Sequence, residues 1–251
     1  MKIFFNSNNK ATLESLQQCG VKNVLVSHKY SNNLKKFSDC FDNIFLIAGV
    51  NGEPDKYHRF LKDNRNLYTN AAQFFVNNNM SETINFLKKE RNMDLDTIPV
   101  LQQDFNKHLS QLNLPVGSDV CVGKMSGRLD MEESIRRLPV NMKYHGLGKG
   151  KYINKQTFNS IDTSLWISAA LAKKFDIWTG NSTINIKINN NTTDPILKHY
   201  CEKYKDSMEM IGINYQGVLD NHYYTMLKLP IALYYIPLCK SQGSYTSNFI
   251  K

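Results

Sequence analysis

The chain has 251 residues, an ordinary apolar content of 41% and a generous aromatic share of 11%, which excludes an intrinsically disordered protein. Its 31 Lys and Arg against 22 Asp and Glu leave a formal charge of +9. That excess attracts polyanions such as nucleic acid or acidic membranes, although a protein from a lysine- and asparagine-rich proteome has the same balance with no such partner.

In chain order, Met1-Lys2 leads straight into IFF and NSNNK, too short for the apolar core of a signal peptide. The strands expected first are KIFFNS (2–7), NVLVSH (23–28), NIFLIAG (43–49) and NLYTNA (66–71). TIPVLQQ (97–103), DVCVGKM (119–125), NMKYHGL (141–147) and NSIDTS (159–164) follow. Most are continuous apolar runs, as strands buried on both faces of a parallel sheet require. Between them NKATLESLQQCG, PDKYHRFLKDN, SETINFLKKERN, KHLSQLNL and DMEESIRRL read as amphipathic helices. Ser81 stands in a capping position for the third of these, and basic residues close it. Eight β-α units predict a compact (β/α)8 TIM-type barrel over residues 1–185, with an open doubly wound sheet as the competitor.

After about residue 185 the texture changes. INIKINNNTTDP reads as a strand or loop, and DPILKHYCEKYKDSMEMIG as a helix. NYQGVLDNHYYTMLKLPIALYYIPL reads as one or two helices broken at Pro230, and SQGSYTSNFIK as a frayed tail. Residues 186–251 are thus expected to form a mainly helical appendage packed on the barrel. LKLPIALYYIPLC, the longest apolar stretch, is interrupted by Lys228, Pro230 and Pro237 and is too short to span a bilayer. The five cysteines (Cys19, Cys40, Cys121, Cys201, Cys239) are scattered without a CxxC or CxC pair. This suits a reducing compartment, and a cytoplasmic protein is expected (host cytoplasm if viral).

In such a barrel the chemistry lies at the C-terminal ends of the strands. Those ends supply Asn6, Ser7, Ser27, His28, Gly49, Asn70, Gln102, Gln103, Gly123, Lys124, His145, Gly146, Gly148 and Asp162. The set is amide- and glycine-rich and holds one acid, whereas metal sites concentrate His and carboxylates, so no metal or other cofactor is expected. Asp162 has two readings: a nucleophile or base acting on an electrophilic carbon, or the cap of the helix that follows. Gln102 and Gln103 each carry a donor and an acceptor able to read a base edge. Gly123 permits close backbone approach, and the glycines of HGLGKG with Lys149 and Lys151 form a cationic loop that suits phosphates or is a plain turn.

IPVLQQ (98–103), DVCVGKMSG (119–127), KYHGLGKG (143–150) and FNSIDTSLWISAA (158–170) occur in an order and spacing that resembles the tRNA-guanine transglycosylase superfamily. The similarity is greatest to its short, zinc-less phage branch of 7-deazaguanine transglycosylases, and it covers roughly residues 1 to 180. The resemblance implies exchange of a guanine in DNA or tRNA for a 7-deazaguanine, with no metal. It also implies that Asp162 is the nucleophile that holds the sugar covalently. Gln103, or Gln102 in a register one residue off, would read the base, and Gly123 would supply a backbone donor. Lys124, Lys149 and Lys151 would lie along the nucleic-acid backbone. Two positions depart from the pattern. Ile47 stands where the third strand carries a proton-transferring aspartate, and Asn70 is nearest to the aspartate that recognises the heterocycle. Ile47 cannot carry a proton. The competing expectation is therefore a catalytically lapsed barrel that binds nucleic acid, or serves an assembly through a protein partner on the C-terminal appendage. A small-substrate glycosidase ranks third, because Glu53, Asp55 and Asp104, which follow strand ends and could supply its second carboxylate, lie in no motif.

Overall fold

The computed structural model describes residues 1–49, 52–76, 79–102, 105–123, 138–155, 158–188 and 194–249. They form an α/β fold with an eight-stranded, curled parallel sheet and a helical C-terminal region. The chain divides into two compact units, residues 1–7 with 23–163 and residues 8–22 with 164–251. The change of texture near residue 185 falls inside the second.

The strands of the first unit are β1 (Lys2–Ser7), β2 (Asn23–Ser27), β3 (Asn43–Ile47) and β4 (Asn70–Ala71), then β5 (Val100–Leu101), β6 (Asp119–Val122), β7 (Lys143–Gly146) and β8 (Ser160–Thr163). Each lies within an expected run. Their spatial order is β4-β3-β2-β1-β8-β7-β6-β5, with every pairing parallel. Phe4, Leu25, Phe45, Ala72, Val100 and Cys121, drawn from both ends of this order, meet in one buried cluster. A flat sheet would hold such residues far apart, so the sheet curls around them. Each buried Leu, Val or Phe adds about 1.5–3 kcal/mol. The outer strands of the order also approach one another. Ala72 and Ile98 form a parallel bridge, with Ile98 N–H donating to Ala71 O at 2.7 Å and Gln73 N–H to Ile98 O at 2.9 Å.

Helices α1 (Lys10–Gln18), α2 (Pro54–Asp63), α3 (Met80–Asn92) and α4 (Phe105–Leu112) follow β1, β3, β4 and β5 in the chain. Most of the expected helix at 130–138 lies outside the described residues. The cap of α3 is Asn79 and not Ser81, because the Asn79 carboxamide oxygen accepts from Glu82 N–H at 3.1 Å. β4 is shorter than expected and begins at Asn70, since Arg65–Leu67 forms a 3₁₀ turn. Near the end of α3, buried Glu90 accepts from Phe74 N–H (2.7 Å) and from the Thr97 hydroxyl (2.6 Å), and its Oε1 lies 2.8 Å from His58 Nε2. One carboxylate thus ties together α2, α3 and the segments flanking β4 and β5.

The second unit contains α1 and begins its C-terminal part with α5 (Leu165–Ala172). An antiparallel hairpin of β9 (Lys174–Trp178) and β10 (Thr183–Lys187) follows, half of it unforeseen. The expected helix at 194–212 is two short ones, α6 (Pro195–Lys203) and α7 (Lys205–Met210). Pro230 does not break the next segment. The backbone stays helical from Tyr223 to Ser241, passing through a π turn at Ile231–Tyr235 directly after the proline. Nor is the tail frayed up to Phe249, which is fully buried, bridges Val21 and follows an Asn248 carbonyl that accepts from Lys22 N–H. All five cysteines are free. Among the described residues no helix is long and apolar enough to cross a membrane.

Candidate functional site

Strand register decides which polar side chains enter the curl of the sheet. Asp162 pairs with Phe4, and His145 with both Cys121 and Ser160. Neighbours in a parallel ladder share a face, and Phe4 and Cys121 belong to the interior cluster, so Asp162, His145 and Ser160 point inward too. With Asn6, whose register partner Leu25 belongs to the same cluster, they are polar groups in a largely apolar wall.

Asp162 is 3% exposed and His145 4%. Burying a carboxylate is expensive without partners, and Asp162 has two. Its Oδ1 accepts from Gly148 N–H at 2.7 Å, while His145 Nε2 stands 3.4 Å away. The second contact is within ion-pair distance but lacks hydrogen-bond alignment, so Nε2 is held by electrostatics alone. His145 Nδ1 lies 2.9 Å from Ser160 Oγ, and the ring stacks on Phe45 at 4.6 Å with Phe4 edge-on at 5.4 Å. Acceptance by Nδ1 from the serine hydroxyl places the ring proton on Nε2, facing the carboxylate, which is the favourable tautomer. Among the described residues no hydrogen bond engages Asp162 Oδ2. The charge is felt nearby: burial first, then Asp162, then Asp119 push the Cys121 thiol well above its usual value.

The glycine-rich loop is built around this acid. Gly148 has φ +65°, a left-handed conformation that aims its N–H at Asp162, and a Cβ there would meet nothing. At Gly146 a Cβ would lie 2.9 Å from Lys149 Cβ, and at Gly150 2.5 Å from Thr163 Oγ1. These two glycines therefore let the loop lie flat on its neighbours. Lys149 is buried with its stem against Gly146, whereas Lys151 is exposed with its ammonium 4.9 Å from the Tyr152 ring centre.

The other expected residues separate. Gln102 is buried, and its Nε2 donates to Val76 O at 3.2 Å. Gly123 lies beside it, with its N–H committed to Leu101 O at 2.9 Å. Gln103 and Lys124 lie outside the described residues. Asn70 opens β4 where the sequence suggested that it ends a strand, so it sits at the opposite, N-terminal end of the sheet. His28 packs against Tyr57 and Phe60 of α2, and burial lowers its pKa, with Glu53 opposing and Lys56 adding to the effect. Ile47 and Leu147 pack against the interior cluster. Among the described residues no group of three or more His, Cys, Asp or Glu is placed to hold a metal ion.

Sequence reasoning missed the buried His58–Glu90 pair and a cavity at the N-terminal end of the sheet. The signal for the cavity was present: β1, β6, β7 and β8 each begin on a polar residue, Lys2, Asp119, Lys143 and Ser160. No family model matches the chain, and a search of curated proteins found no match.

Proposed function

We propose that the chain acts on the glycosidic bond of a guanine nucleotide in DNA or tRNA, with Asp162 as nucleophile, in the manner of the 7-deazaguanine transglycosylases it resembles. The observation that carries this reading is the half-engaged carboxylate. Oδ1 is fixed by Gly148 N–H and flanked by His145, which orients the group, while Oδ2 keeps its lone pairs among the described residues. In the reaction Oδ2 attacks the anomeric carbon, the bond to the base breaks, and its electron pair leaves with guanine, which takes a proton from solvent. A sugar ester of Asp162 remains. The ring nitrogen of an incoming 7-deazaguanine then attacks the same carbon, frees the carboxylate and gives its proton to solvent. Ile47 supplies no proton relay, so turnover is slow. The reading includes closure of the curled sheet into a barrel, for which the Ala72–Ile98 bridge is the support.

A second reading is a lapsed barrel kept for binding. The 3% exposure of Asp162 and the apolar Ile47 favour it. One experiment separates the two. The protein is incubated with tRNA and with duplex DNA carrying labelled guanine, and both label release and a denaturant-resistant protein–nucleic acid adduct are scored. The enzyme releases label and forms adduct, and Asp162→Asn, which keeps the size and the Gly148 contact, does neither. Undiminished release by Asp162→Asn refutes the nucleophile. Absence of release with binding that weakens steeply with salt supports the lapsed barrel.

A further inference from the structure

In parallel α/β sheets the N-terminal end of the strands ordinarily serves stability and is sealed. Here it is open. A cavity of about 320 Å³ is entered there between the exposed side chains of Lys2, Asp119 and Lys143, and Phe4, Phe45 and His145 form its buried floor. Asn70 and Ser160, half-buried, offer an amide and a hydroxyl on its walls. A second cleft of about 310 Å³ adjoins it through Asn70, Ile98 and Asp119 and adds one charge of each sign, Arg91 and Asp96.

The size lies at the lower end of that of small-molecule sites, and the layout is theirs: an apolar, aromatic interior with a few convergent polar groups. The charges point to the ligand. Among the described residues neither the Lys2 nor the Lys143 ammonium forms an ion pair. Two ammoniums against one carboxylate leave the mouth net positive, a field that an oxyanion relieves. Asp119, on the strand beside Lys143, then has a use as acceptor for an N–H or O–H of the same molecule. The floor is wholly aromatic, with His145 stacked on Phe45 and Phe4 edge-on to both, and an aromatic body packs on such rings by the same offset and edge-to-face contacts.

We propose that this cavity binds a small planar molecule bearing one oxyanion, with the anionic group answered by Lys2 and Lys143 and the ring lying on Phe4, Phe45 and His145. The oxyanion is a carboxylate or a phosphate ester. The cavity opens at the N-terminal end of the sheet, with the His145 ring between it and the Asp162 carboxylate, and does not depend on the glycosidic reaction.

Calorimetric titration of the full chain tests it with two planar probes, indole-3-acetate and uridine monophosphate, and with their anionic heads alone, acetate and inorganic phosphate. One planar probe binds saturably, about tenfold or more tightly than its head alone, and which one binds identifies the anion. Lys143→Met and Lys2→Met each weaken it about tenfold, as loss of a charge-assisted contact does. Both lysines are exposed, so their removal spares the fold. The proposal is overturned if neither planar probe saturates below about 10 mM, a threshold near the weak end of specific binding. It is also overturned if binding ignores both lysine variants.

Discussion

Gly146 and Gly148 stand two positions apart and are glycines for different reasons. Gly148 has a left-handed backbone with open space where a Cβ would be, so Gly148→Ala costs the conformational penalty of about 1–2 kcal/mol. Asn tolerates that region better, and Gly148→Asn recovers most of the loss. At Gly146 the obstacle is the Lys149 stem and Phe158, and any side chain overpacks, by about 1–3 kcal/mol. Urea unfolding of the four variants Gly146→Ala, Gly146→Asn, Gly148→Ala and Gly148→Asn checks this. Asn is better than Ala at 148 and worse than Ala at 146; the same ranking at both positions would remove the distinction. The sequence drew attention to Asp162 and to this loop, and the two do meet. It did not reveal that the loop's second glycine is the acid's hydrogen-bond donor. That contact depends on one φ angle and on a strand register, neither of which composition or spacing specifies. Asn70 was misplaced for a related reason: NLYTNA is apolar enough for a strand, but the 3₁₀ turn at Arg65–Leu67 takes its first residues.

Elements were more legible than residues. A strand buried on both faces has to be a run of apolar residues, so all eight strands of the sheet could be marked in advance, along with α1 to α4. What could not be read were features that consist of one hydrogen bond or one backbone choice: the π turn beyond Pro230, the strand β9, and the first residue of α3. The α3 boundary gives a clean measurement. Asn79 accepts from Glu82 N–H at 3.1 Å, and its own amide donates to Glu82 Oε2 at 2.9 Å, so it serves the helix start twice. Asn79→Ala costs about 1 kcal/mol in chemical denaturation. Ser81, already inside the helix and exposed, changes stability by less than about 0.5 kcal/mol when replaced by Ala. The reverse order of these two effects would restore the cap to Ser81.

For the molecule as a whole, alkaline pH sets two forces against each other. The chain carries +9 at neutrality, so deprotonating lysines lowers the self-repulsion of the folded state and raises stability. Buried thiols act the other way. Burial pushes Cys19 and Cys201 up to about 12 and Cys239 up to about 11; a nearby Lys228 partly opposes the first, Glu202 adds to the second, and the neighbouring Ser244 hydroxyl is the main opposition at the third. All three belong to the second unit. A thiol that keeps its proton when folded but loses it near 9.0 when unfolded gives stability that is intact below pH 9 and declines above it. Integrated from pH 9 to 10, each costs about 1 kcal/mol, so three cost roughly 3 kcal/mol over that step and less over the step from pH 8 to 9. That is large against a typical total of about 5–15 kcal/mol, and larger than the diffuse relief of surface repulsion in ordinary salt. Unfolding of the second unit, followed in urea at pH 8, 9 and 10, therefore shifts to lower midpoints with each step. Replacing Cys201 by Ala removes about a third of that decline at some cost at pH 8. A midpoint that rises between pH 9 and 10 would mean that surface charge governs and that the thiols lie in wetter surroundings than their burial implies.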